Sequence, residues 1–356
     1  MPKRILFLFP YPEGEAASQR FRFEQYYDAL QHRGFEVHKQ AFLDQATWDI
    51  LYKPGHTAKK ILGTLKGYLR RLGAMFTLGK YDYIFVHREA EFFGPPMFEW
   101  IIAKVARKKI IYDFDDAIWL RNTSESNGFV GKFKKYDNAI PVCRMAYKVS
   151  CGNEYLRQFA AQYNPKAYYN PTTIDTEHLH NRVKDQQGDG FVIGWTGTHS
   201  TMRYMNDLVP VLERLEQKYQ FTFHVIADRA PDFKLKSLRF TKWKKETEIE
   251  DLLQFNVGVM PLVDDKWAQG KCGFKALQYM ALGIPALVSP VGVNTRIVDD
   301  GLNGFLCSTP DDWYNALSKL MEDRQLLIAM GANTRRKIED AYSVKSNTEN
   351  FISLFS

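Results

Sequence analysis

Cysteine is scarce in this chain, and long uncharged apolar runs are missing. The 4 cysteines (Cys143, Cys151, Cys272 and Cys307) form no CxxC pair and no His/Cys spacing typical of a metal site. No apolar stretch approaches the ~20 residues that cross a bilayer. The opening segment is interrupted by Pro10 too early for a signal peptide. We therefore expect a reduced, cytoplasmic protein.

Acidic residues are outnumbered by basic ones, which gives a net charge of +7. This excess suggests an anionic partner, such as a nucleotide, a phosphorylated substrate, an acidic lipid or a nucleic acid. No RNA-binding signature and no basic repeat interleaved with aromatic residues is present, so we expect no nucleic-acid partner. Hydrophobic residues make up 45% of the 356-residue chain, enough for two folded domains with separate cores.

Predicted strands alternate with predicted helices along the chain, which indicates an α/β fold with parallel sheets. A helix is expected over Phe21–Arg33. A polar stretch ending in DQQGDG separates a first series from a second series that starts at Phe191. The predicted strands are Arg4–Phe9, Glu36–Ala41, Tyr83–Val86, Lys109–Tyr112, Ala146–Val149, Phe191–Gly194, Phe221–Ala227, Val257–Met260 and Ala286–Val288.

The segment Tyr52–Lys80 holds seven basic residues and no acid. On a helical wheel its apolar residues share one face, and its basic residues flank the opposite one. This pattern is typical of an interfacial helix on an anionic membrane. The alternative is a surface helix whose apolar face packs on the first sheet. The apolar residues are Ile61, Leu62, Leu65, Leu69, Leu72 and Phe76.

The segment Gly270–Gly304 is the most informative part of the chain. A glycine-containing loop with Lys271 opens a helix, which Gly283 and Pro285 end before the buried strand Ala286–Val288. Unpaired N–H groups at the helix start, beside a lysine, make an anion site suited to phosphate. An ordinary loop-helix-strand unit is the alternative.

The run Gln278–Pro285 (QYMALGIP) resembles the donor-binding motif of family 4 glycosyltransferases, which are retaining enzymes of GT-B architecture. The following Ser289–Gly292 and Asp300–Gly304 also fit that motif. Two positions depart from it, because Gln278 replaces one motif glutamate and Gly270 the other. An amide can still hydrogen-bond a ribose hydroxyl.

The resemblance implies two Rossmann-like domains facing across a cleft. It assigns residues 1–172 to an acceptor-side domain, 173–190 to a linker, 191–335 to a nucleotide-sugar-binding domain, and 336–356 to a helix that crosses back. It also implies a sugar transfer, retaining and without metal or cofactor, from a nucleotide-sugar donor to a glycan or lipid-linked acceptor in glycoconjugate synthesis. With the basic helix, this predicts a cytoplasmic protein on the inner face of the membrane.

The predicted donor site combines the Lys271 loop with the loop after the second domain's first strand. In the resembled family this second loop faces the donor diphosphate. Its hydroxyls would bind the donor, although Ser200 or Thr201 could simply be the N-cap of a helix. The expected donor-binding residues are Gly197, Thr198, His199, Ser200, Thr201, Arg203, Lys271, Cys272, Gly273 and Gln278.

Polar residues follow two predicted strands of the first domain. His87 matches a family histidine near the sugar ring, and Asp113–Asp116 follow the next strand. A histidine bonded to backbone groups and an aspartate helix cap are the alternatives. Another enzyme of this fold, a sugar-nucleotide epimerase, and a catalytically inactive membrane-binding protein also stay open. The expected catalytic residues are His87, Asp115 and Asp116, and the expected acceptor-binding residues are Arg20, Arg22 and Glu89.

Overall fold

The computed structural model describes residues 2–120, 138–188 and 190–356. Asp189, in the predicted linker, lies outside the described residues. The chain divides into two compact units. One comprises Met1–Thr172 with Thr348–Ser356, and the other comprises Thr173–Asn347. Each unit has a six-stranded sheet with flanking helices, so the predicted class of two Rossmann-like α/β domains is confirmed.

The strands of the first unit are β1 (Lys3–Phe9), β2 (Phe35–Ala41), β3 (Tyr83–His87), β4 (Lys109–Phe114), β5 (Lys148–Cys151) and β6 (Ala167–Tyr169). Their order along the sheet is β2-β1-β3-β4-β5-β6, and neighbouring strands pair in parallel. Parallel strands place all their carboxyl ends at one edge, where open α/β sheets bind ligands. The described helices are α1 (Ala17–Arg20), α2 (Tyr27–His32), α3 (Gln45–Leu51), α4 (Thr57–Met75), α5 (Met97–Trp100), α6 (Ala139–Met145) and α7 (Glu154–Ala161).

The strands of the second unit are β7 (Val192–Gly197), β8 (Thr222–Ala227), β9 (Leu238–Lys242), β10 (Val257–Met260), β11 (Ala286–Val288) and β12 (Gly304–Leu306). They also pair in parallel, in the order β12-β11-β10-β7-β8-β9 along the sheet. Its helices are α8 (His199–Met202), α9 (Val209–Leu215), α10 (Glu248–Leu252), α11 (Lys266–Gln269), α12 (Phe274–Ala281), α13 (Asn294–Ile297), α14 (Pro310–Glu322), α15 (Arg324–Ala341) and α16 (Val344–Ile352), the last of which runs into the residues of the first unit.

One predicted helix of the first unit is broken. The expected helix Phe21–Arg33 is replaced by α1 and α2, with a 3₁₀ turn at Glu24–Tyr26 between them. Phe21 and Phe23 are both fully buried. Residues two apart point to nearly opposite sides of a regular α-helix, so a single amphipathic helix with one solvent-exposed face would not bury both.

An aromatic cluster closes the first unit. Phe351 stacks on Tyr26 with ring centroids 4.3 Å apart, and Phe355 lies against Phe85 and Tyr83. Burying such side chains stabilises the fold by roughly 1.5–3 kcal/mol each. These contacts explain why Thr348–Ser356 belongs to the first unit.

Within the described residues, no helix is long and apolar enough to cross a membrane.

Candidate functional site

The first polar cluster lies at the carboxyl ends of β3 and β4. His87 is the last residue of β3 and pairs in register with Asp113 of β4. Both side chains are buried, and His87 Nδ1 lies 2.8 Å from Asp113 Oδ2. Because an ionised carboxylate only accepts hydrogen bonds, Nδ1 carries the proton of this bond. The other ring nitrogen, Nε2, is buried without a hydrogen-bond partner among the described residues.

Arg22 holds Asp113 from the other side. Its Nη2 donates to Asp113 Oδ1 at 2.5 Å, its Nη1 donates to the carbonyl of Asn170, and Ser150 Oγ donates to the same carboxylate at 2.6 Å. Burial alone would raise the pKa of Asp113, but the Arg22 charge and the His87 hydrogen bond hold that pKa below its ordinary value. Arg22 was expected to bind the acceptor. Its side chain is buried instead, and it holds Asp113 in place.

The two expected catalytic aspartates form a separate pair of contacts. Arg88 donates to Asp115 at 2.8 Å and to Asp116 at 2.8 Å. Arg88 has φ +59°, which a side-chain-bearing residue rarely adopts, so the chain is strained where it leaves β3. The carboxylate beside His87 is thus Asp113 rather than Asp115, which the sequence analysis missed. Asp113 and Asp115 thus each contact an arginine, Arg22 and Arg88 respectively.

A small cavity, partly open to solvent, adjoins this edge. Its walls include Tyr11, Arg88, Glu89, Glu91 and Glu99. Burial, and then the neighbouring Glu99, raises the pKa of Glu91 to about 9. Oε2 of Glu91 and Oε2 of Glu99 are buried without a hydrogen-bond partner among the described residues, and the raised pKa of Glu91 favours its protonated form.

The two remaining acceptor candidates lie near this edge. Glu89 lines the cavity and is half-buried. Its backbone N–H donates to the His87 carbonyl at 2.7 Å. Arg20 is also half-buried, and its guanidinium lies 4.9 Å from the ring centre of Phe21.

The second unit carries the expected donor loop at the end of β7. Thr198, His199 and Ser200 are exposed there. Thr198, and not Ser200 or Thr201, is the N-cap of α8. Its N–H donates to Thr201 Oγ1 at 3.3 Å, and that hydroxyl donates back to the Thr198 carbonyl. A Cβ on Gly197 would lie 2.6 Å from the Trp195 ring, so only glycine fits.

Other groups of this loop have partners within the second unit. The His199 N–H donates to Asp228 at 2.6 Å. Arg203 is exposed in the 3₁₀ turn after α8 and donates to the Tyr204 hydroxyl at 3.3 Å, which raises its pKa. Asp265, the N-cap of α11, lies near enough to raise that pKa further. Arg203 therefore approaches the segment that leads to Lys271.

The start of α12 has the backbone expected of an anion-binding loop. Gly273 is its N-cap with φ +69°, and an added Cβ would meet Ile297 at 2.2 Å. The position thus needs glycine for both conformation and space. Cys272 is buried, and Lys271 is half-buried with its ammonium 5.7 Å from the Trp267 ring centre. The N-terminus of α12 carries the positive end of the helix dipole, which favours an anion at this position.

Gln278 is a buried side chain of α12 whose Nε2 has no partner among the described residues. An unpaired buried amide is costly, by about 1–3 kcal/mol, so such a group usually has a functional reason. The next residue, Tyr279, ties α12 to β7, because its hydroxyl oxygen accepts a hydrogen bond from the Thr196 N–H at 2.9 Å.

The chain resembles known proteins in one sequence segment and in its fold. Residues 190–323 match the family model described as glycosyl transferases group 1. No curated protein sequence matches the chain.

Several solved structures are similar to the chain over nearly its whole length. Sucrose-phosphate synthase from Thermosynechococcus elongatus has a TM-score of 0.71 at 12% identity, covering 99% of this chain and 98% of the other. HepE from Anabaena, in complex with UDP, has a TM-score of 0.63 at 14% identity, and the match covers 98% of each chain. A glycosyltransferase from Rickettsia africae has a TM-score of 0.69 at 10% identity, and the match covers 99% of this chain and 98% of the other. At these identities the similarity shows the fold.

The two findings concern different properties of the same chain. The family model identifies the domain that contains Thr198, Lys271 and Gln278. The solved structures show that the chain shares its fold with known glycosyltransferases. Residues 190–323 therefore match the group 1 glycosyl transferases, the chain has the fold of GT-B glycosyltransferases, and it is a glycosyltransferase.

Proposed function

We propose that the protein transfers a sugar from a nucleotide-diphosphate sugar to a hydroxyl group of a glycan or lipid-linked acceptor. The transfer retains the anomeric configuration and uses no metal. HepE of Anabaena, which shares the fold, was solved with UDP and with UDP-glucose, which supports a uridine donor for the present chain.

One observation carries the proposal. Within the segment that matches the family model, Gly273 opens α12 in a conformation and a space that only glycine fits, and Gln278, five residues further, has a buried amide nitrogen without a hydrogen-bond partner among the described residues. A nucleotide diphosphate would supply an acceptor for that amide. Its phosphates would meet the α12 N-terminus, Lys271 and the Thr198 loop, and a ribose hydroxyl would accept from Gln278.

Negative charge grows on the leaving diphosphate as the glycosidic bond breaks. Lys271, Arg203 and the backbone N–H groups at Gly273 would stabilise that charge. In a same-face substitution within an ion pair, the leaving diphosphate takes the acceptor proton. This route needs no protein nucleophile.

His87 would act on the sugar through Nε2. With Nδ1–H held by Asp113, Nε2 is the ring nitrogen left to contact a sugar hydroxyl. Asp113 and Arg22 are positioning residues, because they fix the ring without reaching the ligand. Asp115 and Asp116 remain the proposed contacts for an acceptor hydroxyl, with Arg88 holding them in place.

We further propose that the protein works in the cytoplasm, attached to the inner face of the membrane, in the synthesis of a cell-surface polysaccharide or glycoconjugate. A lipid-linked acceptor would be met there. The basic, acid-free segment Tyr52–Lys80 supports this location.

A ligand screen tests the donor. Purified protein is melted with UDP, GDP and dTDP and with their common sugar derivatives. A ligand at one hundred times its dissociation constant adds ~2.7 kcal/mol of stability. The hit is then incubated with the protein, and free nucleotide diphosphate is measured. Transferase chemistry releases the diphosphate, whereas an epimerase would return an isomeric sugar nucleotide and release none.

A further inference from the structure

Helix α4 packs on the first unit through its glycines instead of its leucines. Its buried residues are Gly63, Gly67, Arg71 and Ala74. A Cβ on Gly63 would lie 2.1 Å from Thr47 of α3, and one on Gly67 would lie 2.6 Å from the Phe42 ring. Small residues at this spacing bring the helix backbone close to the unit, and they leave no room for an apolar layer beneath it.

Two arginines fasten this face of α4. The Arg71 guanidinium is buried and donates to the backbone carbonyls of Phe9, Gln40 and Ala90 at 2.8–2.9 Å. Arg70 donates to the carbonyls of Ala41 and Phe42. These two residues, expected from the sequence on the solvated basic flank, are therefore structural. Their bonds fix which side of the helix faces outward.

The apolar face of α4 is consequently exposed. Its side chains follow one another at helical spacing along roughly 20 Å, given a rise of 1.5 Å per residue. The predicted alternative, in which this face packs on the sheet, is not what the structure shows. Exposed fractions are 64% for Ile61, 53% for Leu62 and Leu65, 61% for Leu69, 48% for Leu72 and 85% for Phe76.

The surroundings add apolar surface and positive charge. Helix α5 packs beside α4, where Tyr68 and Phe98 are ring neighbours, and it adds exposed Met97 and Trp100. Lys59 and Lys66 are exposed on α4 itself. No acidic residue occurs from Tyr52 to Lys80. Apolar patches of this kind mark an interaction surface.

We propose that the outward face of α4, with Trp100 beside it, inserts into the headgroup boundary of an anionic lipid bilayer. A continuous apolar stripe bordered by lysines and free of acid is complementary to such a surface. A second copy of the chain would instead bring like charges together. The proposal deepens the membrane attachment proposed above, and it does not depend on sugar transfer.

Vesicle flotation tests the proposal directly. The full chain is mixed with vesicles of phosphatidylglycerol and phosphatidylcholine in equal parts, and separately with phosphatidylcholine alone. We expect flotation with the anionic vesicles and much less with the neutral ones. Raising the salt from about 0.1 M to about 1 M shortens the Debye length from ~10 Å to ~3 Å and should weaken the binding.

Paired variants separate the two contributions. Leu65→Ser with Leu69→Ser should lower the partition coefficient at least tenfold, because apolar burial is lost. The matched control, Leu302→Ser with Ile328→Ser, changes exposed apolar residues of the second unit and should bind as the parent does.

A charge pair is tested in the same assay. Lys59→Glu with Lys66→Glu should lower binding roughly thirtyfold or more, because each lysine near an anionic surface contributes about 1 kcal/mol. The control Lys234→Glu with Lys244→Glu makes the same charge change at exposed sites of the second unit. Arg70 and Arg71 are left unchanged, since replacing them would disturb folding.

Two results would overturn the proposal. The first is a folded parent protein that stays with the soluble fraction at low salt. The second is a concentration-dependent dimer, seen by sedimentation velocity, that Leu65→Ser with Leu69→Ser converts to monomer, since the stripe would then join two copies. UDP binding by calorimetry is measured on every variant, so a failure of the donor proposal is recognised separately.

Discussion

Replacing Asp113 by asparagine is expected to destabilise the protein by about 3–5 kcal/mol. The change keeps the shape of the side chain and removes its charge. Arg22 would then be a buried cation whose ion-pair partner at 2.5 Å is gone. Removing one partner of a buried pair costs more than the pair contributes, because the remaining charge stays desolvated.

The assay is urea unfolding followed by tryptophan fluorescence and far-UV circular dichroism, with the free energy obtained by linear extrapolation. Asp116→Asn is the matched control, because its bond to Arg88 is partly exposed at the surface. That variant should lose about 1 kcal/mol or less. An Asp113→Asn protein that unfolds at the parent's urea midpoint would refute the assigned role of the Arg22–Asp113 pair.

The pH dependence gives the same prediction a second readout. The folded-state pKa of Asp113 lies below its value of ~3.9 in an unfolded chain. Its stabilisation is therefore fully present above about pH 4–5 and is lost only as the pH falls through the lower, folded-state pKa. The difference in unfolding free energy between parent and Asp113→Asn should be constant from about pH 5 to 8 and should shrink only in stronger acid.

Three further changes test the site and its surroundings. Lys271→Ala should weaken UDP binding tenfold or more without unfolding the protein, because a charge-assisted hydrogen bond contributes roughly 1.5–3 kcal/mol; unchanged affinity by calorimetry would remove Lys271 from the site. His87→Ala and Asp115→Ala should each lower turnover more than donor affinity in steady-state assays, and normal turnover would make the residue structural. Glu91→Gln should gain stability over the parent as pH rises from about 4 to 9. The pKa of Glu91 is raised to about 9, so folding holds a proton that the unfolded chain has released, and the parent loses stability across that window. Parallel urea midpoints of the two proteins across that range would contradict this.

The sequence predicts a strand or a helix start correctly where the residues that determine it lie within one short segment. The strands Val257–Met260 and Ala286–Val288 are found at the predicted residues. Gly273 also lies at the start of α12, where the sequence predicts that a glycine-containing loop opens a helix. Strand, helix start and glycine turn are local features, and hydrophobic pattern and backbone conformation suffice to recognise them.

Local sequence patterns could not predict the register between strands or contacts between distant parts of the chain. The prediction ended the fourth strand at Tyr112 and so placed Asp113 in the loop, whereas β4 continues to Phe114 and sets Asp113 beside His87. Knowing that parallel neighbours end together would have suggested this partner. Arg22 lies 91 residues before Asp113, and no local pattern links them.

Helix α4 shows a different limit. Its periodicity identifies an apolar face correctly, but periodicity does not say which face meets the protein. Gly63, Gly67 and a buried Arg71 decide that question through close backbone approach and bonds to carbonyls. Those interactions depend on Thr47 and Phe42, which come from other parts of the chain.

The most direct test of the central claim is release of nucleotide diphosphate from a sugar nucleotide by the purified protein. Donors of the UDP, GDP and dTDP series are incubated with the parent, with Lys271→Ala and with His87→Ala, and free diphosphate is quantified by chromatography. The account predicts release from one donor by the parent, weaker donor binding by Lys271→Ala, and intact binding with little release by His87→Ala. Saturating donor binding by the parent with no release, even when a mixed cell-envelope extract supplies acceptors, would contradict it.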